Sequence, residues 1–238
     1  MVRLINYTIN PEITIATAAR LCYSSYDISK IEKDFTGSNG LEKARKLIKK
    51  IRISGHDSVL EHAGFTFGVE KLSRSASHQL VRHRIASYSQ RSQRYVKETK
   101  PQFVIPDSIA NDAGLSDMFN KLINDIFSLY GYFIEKGIPA EDARYILPNA
   151  TETQLAFTMN ARELLHFLKL RGCERAQWEI RQLAKDVFKL VYPIAPSVFQ
   201  GAGPACVKGN CSEGGFTCGR PLEIRAEWLN MAKLAAHS

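Results

Sequence analysis

The residues with the clearest chemical use fall in one stretch, Ser77 to Lys97, which reads SHQLVRHRIASYSQRSQRYVK. Arg82, Arg84, Arg91 and Arg94 lie within thirteen residues. A guanidinium grips phosphate or carboxylate through two parallel N–H bonds. Four such forks exceed what one monophosphate needs, and their spacing suggests two anionic groups bound close together. Ser87, Ser89 and Ser92 add hydroxyl donors and a backbone whose N–H groups can face an oxyanion. His83 stands between Arg82 and Arg84. Neighbouring cations disfavour the imidazolium, so His83 reads as a neutral hydrogen-bonding group. Leu80, Val81 and Ile85 anchor the cluster to a core. Composition alone leaves a solvated basic loop and a nucleic-acid patch open.

The charge is local. Between Lys71 and Lys100, eight lysines and arginines face one acid, Glu98, a surplus of seven, whereas the whole 238-residue chain carries +8. One segment is specialised for anions and the remainder is nearly balanced. The hydrophobic share of 45% is ordinary for a globular protein with a real core. No run of eighteen apolar residues exists, so no membrane span is expected. The opening MVRLINYTINPE lacks an apolar signal region, and the expectation is a cytoplasmic protein.

These residues need elements to hold them. LEKARKLIKKIRIS, from Leu41, has helical spacing and a stop at Gly55. FTFGVEK alternates, with Phe65, Phe67 and Val69 on one face of a strand. SRSASHQLVRHR reads as a helix capped by Ser73 or Ser75, followed by a long polar loop. Leu115, Phe119, Leu122, Ile126, Leu129 and Phe133 mark a long helix ending at Gly137. PAEDARYIL reads as a short helix begun by Pro139. TETQLAFTMNARELLHFLKLR and ERAQWEIRQLAKDVFKLVY read as two helices broken at Gly172. Strand signals cluster before residue 110 and helices follow. The expected class is therefore α+β, an antiparallel β-sheet covered by long α-helices with a helix-rich second half.

RHRIASYSQRS fits Arg-His-Arg, seven residues, Ser, and so resembles the signature of the flavin-dependent thymidylate synthases. GHDSVLEH, DARYILP and NARELLHFLKLRGCERAQWEIR resemble further motifs of that family, in the same order, over His56 to Arg181. The resemblance implies reductive methylation of dUMP to dTMP. NADPH would reduce FAD, 5,10-methylenetetrahydrofolate would give the carbon, and the flavin hydride would complete the methyl group. It also implies a homotetramer with active sites shared between subunits, and no nucleic-acid partner is expected. After Pro193 the chain turns Gly-, Pro- and Cys-rich, so the expected organisation is a single catalytic domain over residues 1–200 followed by an irregular Gly- and Cys-rich tail, 201–238, with a last short helix near Trp228.

By the same resemblance, FAD would meet His56, Ser58, Glu61, Arg82, His83, Arg84, Gln90, Asn160, Arg162 and His166. The nucleotide would meet Gln79, Arg82, Gln90, Arg91, Ser92, Gln93, Arg94 and Arg144. Arg171 resembles the catalytic arginine at the uracil edge, where it favours loss of the N3 proton. No G-x-G-x-x-G follows a strand, so FAD would not use a dinucleotide-binding turn, and an arginine-rich site is the physical substitute. Two positions depart from the commoner family pattern: Ser89 stands where Asn is frequent and Gln90 where an acid is frequent. Gln90 keeps hydrogen-bonding capacity without charge.

Ser92 has no His–Asp relay spaced to activate it and reads as a nucleotide contact. His56 and His62, with Glu61 between, match no standard zinc spacing, and no metal is expected. Cys206, Cys211 and Cys218 are spaced C-x4-C-x6-C, and Cys173 or Cys22 could complete a zinc site or a disulfide. Cytosolic disulfides are uncommon, so free thiols are the expectation.

Two rival functions have distinct marks. An RNA-binding module would use the Lys71–Lys100 segment with Tyr88 and Tyr95 as stacking platforms. A classical thymidylate synthase would need a cysteine nucleophile, and no cysteine sits in a recognisable site for one. The expected outcome is a yellow protein with a flavin absorption spectrum. A colourless protein that takes up no FAD but binds RNA with steep salt dependence would reverse the assignment.

Overall fold

Alternating burial builds the strands. β1 (Val2–Tyr7), β2 (Gly64–Ser73), β3 (Ala86–Gln90) and β4 (Glu152–Asn160) form one antiparallel sheet in the order β1-β2-β4-β3. The helices are α1 (Pro11–Leu21), α2 (Ile28–Thr36), α3 (Gly40–Ser54), α4 (Arg74–Leu80), α5 (Asp107–Ala110), α6 (Ala113–Glu135), α7 (Ala140–Ala143), α8 (Ala161–Arg171), α9 (Trp178–Val191), α10 (Pro196–Phe199) and α11 (Pro221–Ala235). The computed structural model describes residues 1–98 and 100–236. The fold is α+β, as expected, and no described helix is long and apolar enough to cross a membrane.

The chain forms two compact units. One comprises Met1, Val69–Arg82 and Tyr88–Ala156; the other comprises Val2–Gly68, His83–Ser87 and the chain from Phe157 onward. In the second unit, Phe67 of β2 stacks on Phe157 of β4 at 4.8 Å. Phe157 in turn meets Phe167 of α8 at 6.5 Å. α3 stops where expected: Gly55 adopts φ 75°, open to glycine without a Cβ penalty, and its N–H closes on the Ile51 carbonyl. In the first unit, α4 is capped by Ser73, whose hydroxyl accepts the Ala76 N–H at 3.0 Å.

Several expectations change. TETQLAFTMN is strand β4, not the first half of a helix. Thr153, Leu155, Phe157 and Met159 are buried at every second position, and that two-residue period decides the conformation. The helix starts only at Ala161, with Asn160 as its cap. Strands therefore do not end before residue 110. The polar loop expected after Arg84 is instead edge strand β3, with Ala86, Tyr88 and Gln90 half-buried and Ser87 and Ser89 exposed. Its small hydroxyl residues carry no apolar alternation, so only pairing with the distant β4 reveals it. Helix α6 exists as expected but buries Ile123, Phe127 and Tyr130. Leu115, Leu122 and Leu129 of the expected stripe face outward.

The tail is firmer than expected. Its last helix, α11, is fifteen residues long. Trp228, 1% exposed, meets Phe188 of α9 at 5.1 Å. Two glycines admit the indole: a Cβ at Gly172 would sit 2.4 Å from Cζ2, and one at Gly203, where φ is +126°, would sit 2.7 Å from Cε3. Trp228→Ala is expected to cost about 3–5 kcal/mol by opening a cavity, and Gly203→Ala about 1–3 kcal/mol through backbone strain. Denaturant unfolding of the two variants measures both.

Candidate active site

In the second unit His83 is buried, only 4% exposed. Its Nδ1 lies 2.8 Å from Glu163 Oε1, and the Nε–H of Arg171 donates to its Nε2 at 3.1 Å. The rings of His166 and Phe167 stand edge-on at 5.6 and 5.2 Å. Burial holds the His83 pKa below the usual imidazole value, helped by the charges of Arg171 and His166, while Glu163 works in the opposite direction. His83 is therefore neutral, as its sequence context suggested, but for a different reason. Arg82 and Arg84 are exposed, and the cation that counts is Arg171.

Helix α8 places these groups. Asn160 Oδ1 accepts the Glu163 N–H at 2.9 Å, which starts the helix and sets Glu163 in its buried first turn. Arg162, His166 and Lys169 recur at helical spacing on the exposed face. Arg162 pairs with Glu61, so two expected flavin residues meet. His56 and Ser58 are exposed at the 3-10 turn Asp57–His62. Arg162 and His166 also line a cavity of about 520 Å³ with Arg52, Asp57, Lys169, Lys208 and the segment Gly201–Ala205. Arg52 is held there by the carbonyls of Val198 and Gln200, and burial lowers its pKa. Burial and then Arg52 likewise lower that of Lys208. Sequence reasoning missed Arg52 and Lys208 because neither belongs to a motif.

His83, Glu163 and His166 place ligand atoms within 4.8 Å of one another. Both nitrogens of His83 are already engaged, by a carboxylate and a guanidinium. In this arrangement a hydrogen-bonded chain runs from Glu163 through His83 to Arg171.

The first unit holds the residues expected at the nucleotide. Gln90 Nε2 donates to Ser77 Oγ at 3.0 Å and to Thr153 Oγ1 at 3.2 Å, while Ser77 Oγ donates to the Arg74 carbonyl. Gln90 thus does structural work at the β3–β4 seam. A carboxylate could meet the same hydroxyls as an acceptor, which gives the departure at this position a physical account. Ser92 Oγ accepts the Arg94 N–H at 3.2 Å, a turn contact. Arg94 pairs with Glu141 at 3.0 Å; this hydrogen bond and charge raise its pKa. Arg144 Nε donates to the Glu141 carbonyl. Gln79 is half-buried at the end of α4.

Arg74 is the missed residue of this unit. Its Nη2 donates to the Arg91 carbonyl at 2.8 Å. Burial lowers its pKa, with Glu98 opposing and Arg144 reinforcing. Buried Glu98 has its pKa raised by burial, against Arg91 and Arg74. Among the described residues, Arg74 Nε, Gln93 Nε2, Glu98 Oε1 and Thr151 Oγ1 are buried without a hydrogen-bond partner. Such groups are costly, and the orphaned donors of Arg74 and Gln93 suit the oxygens of an anionic ligand.

The family described as thymidylate synthase complementing protein matches residues 3–197. The flavin-dependent thymidylate synthase of Geobacter sulfurreducens is 48% identical over 233 residues, 97% of this chain and 99% of that one. That of Clostridium tetani is 43% identical over 244 residues, 96% of each. Among solved structures, flavin-dependent thymidylate synthase ThyX from Helicobacter pylori, complexed with FAD and dUMP, is 29% identical with a TM-score of 0.69, covering 85% of this chain and 99% of that one. The UMP/dUMP methylase PolB from Streptomyces cacaoi, bound with 5-Br dUMP, is 25% identical with a TM-score of 0.72, covering 85% and 95%. The chain belongs to the thymidylate synthase complementing protein family, the flavin-dependent thymidylate synthases.

All five cysteines are free thiols. Cys173, Cys206 and Cys211 line a cavity of about 240 Å³, and burial raises the thiol pKa of Cys173 and Cys206, with Cys218 adding to both. A thiolate is the reactive form. With a chromogenic thiol reagent and peptide mapping, exposed Cys22 is expected to react at once. Cys206 should react slowly at neutral pH and faster as pH rises, and all five should titrate in denaturant.

Proposed function

We propose that this chain is a flavin-dependent thymidylate synthase, forming dTMP from dUMP with 5,10-methylenetetrahydrofolate as carbon donor and NADPH as reductant, in the cytoplasm. What carries the reading is Arg171, which by its motif resembles the family's uracil-edge arginine and is hydrogen-bonded to a buried imidazole. Uracil C5 is a poor carbon nucleophile. A guanidinium beside N3 and the ring carbonyls stabilises negative charge on the ring and so raises electron density at C5. That is preorganised electrostatics, and it costs no rearrangement during the reaction.

Bound FAD would supply the hydride. His56, Ser58, Glu61, Arg82, Arg84, Asn160, Arg162 and His166 would hold it. Asn160 spends its side-chain oxygen on the α8 cap, so its amide nitrogen is the group to reach the flavin. His83 has both nitrogens engaged, so its contact would be through ring carbons or backbone. Gln79, Arg82, Arg91, Ser92, Gln93, Arg94 and Arg144 would hold the nucleotide, with Gln90 behind them. The orphaned donors of Gln93 and Arg74 support a phosphate-bearing ligand on this unit.

We also infer a homotetramer with shared active sites. Helix α6 leaves Leu115, Met118, Leu122 and Leu129 exposed, an apolar face suited to a second copy of the chain.

The test is anaerobic NADPH oxidation with FAD, with and without dUMP, followed by an assay for dTMP when methylenetetrahydrofolate is added. Arg171→Ala should lower turnover about 10²–10³-fold, the cost of removing one preorganised donor, while FAD stays bound. Wild-type turnover in that variant would sink the N3 role. Arg82→Ala should weaken both FAD and dUMP binding. Light scattering should give four chains.

A further inference from the structure

We propose that Glu163 is a positioning residue: it fixes His83 as the Nδ1–H tautomer, so that Nε2 is the acceptor that holds the guanidinium plane of Arg171. The kinetic part of this inference rests on the role proposed for Arg171. The tautomer part does not.

Two contacts select one species. A carboxylate in this contact accepts, so the proton at the 2.8 Å Glu163–His83 contact sits on Nδ1. A guanidinium offers no acceptor, so Nε2, 3.1 Å from Arg171 Nε, carries a lone pair. An imidazolium would aim an N–H at a cation, and the Nε2–H tautomer would break both bonds. The charged and titratable groups acting on His83 are Glu163, Arg171 and His166, all on α8. Phe167 closes the ring edge-on.

The helix makes the chain possible. Glu163 sits in the first turn of α8, where the peptide dipoles favour negative charge. Arg171 is its last residue, about 12 Å further along the axis. Side chains on a helix lean toward its N-terminus, so the long arginine reaches back to meet the imidazole that Glu163 holds. A carboxylate that fixes an imidazole tautomer for a third group is a known catalytic device. Here the third group is a guanidinium, held by the imidazole as acceptor, and no proton need move. Without Glu163, His83 would lose the bond that chooses its tautomer, and Arg171 could turn about its last bonds.

The test uses the FAD-loaded enzyme, wild type, Glu163→Gln and Glu163→Asp, with selectively ¹⁵N-labelled histidine and pH profiles of kcat and KM. In the wild type, the His83 resonances should report a protonated Nδ1 and an unprotonated Nε2 at neutral pH. An imidazolium or the other tautomer there would overturn the proposal. Glu163→Gln should lower kcat about 10–100-fold, as losing an outer partner of a functional group does, with little change in KM for dUMP. Its acid limb should move to lower pH, because the carboxylate that favours the imidazolium has gone. Glu163→Asp should restore the acid limb and part of kcat, and it carries the test should the glutamine variant fail to fold. Unchanged kcat and acid limb in the glutamine variant would reduce Glu163 to a packing role. If Arg171→Ala keeps full turnover, the reading of the uracil site fails, while the ¹⁵N result still stands or falls by itself.

Discussion

The second unit is organised around a buried imidazole bonded to a carboxylate on one side and a guanidinium on the other. A buried ring nitrogen left without a partner is costly, so His83 cannot move alone. It holds Glu163 and Arg171 at the two ends of one helix, and that helix carries Arg162, His166 and Lys169 on its open face. The aromatic stack of Phe67, Phe157 and Phe167 sets the helix against the sheet. Packing of hydrocarbon thus fixes a buried polar chain.

The first unit uses charge differently. Arg91 and Arg74 act on a buried carboxylate, Glu98, and Arg74 and the acid oppose each other's shifts. Some of its buried polar atoms lack partners among the described residues. A protein accepts such a cost where a ligand repays it. In the other unit, Arg171 is already held by a hydrogen bond to His83.

How much of this is legible in the chain depends on the range of the contacts. The cap at Ser73, the stop at Gly55 and the face of Phe65, Phe67 and Val69 are local and were readable. The alternation of Thr153, Leu155, Phe157 and Met159 was equally local, but it runs without a break into the helix of NARELLHF, and the helical period masked it. β3 had no such signal, because its residues are small and polar. On α6 the helix was readable and its buried face was not, since the helix has more apolar residues than one face can bury. Of the site, the arginines and the motifs were visible. Glu163, Arg74 and Arg52 were not, because each matters through a partner far away in sequence.

By itself the sequence determined the class of chemistry. Guanidinium forks and hydroxyls at short spacing are suited to anionic groups, and four motifs in order carry the resemblance to the family. Only the tertiary structure decided which of those groups are held and by what. The neutrality of His83 was expected from adjacent Arg82 and Arg84. It comes instead from burial and from Arg171, eighty-eight positions away. The physical reason is that burial and hydrogen-bond geometry are properties of non-local packing. They act over ångströms in space, and residue spacing along the chain does not encode them.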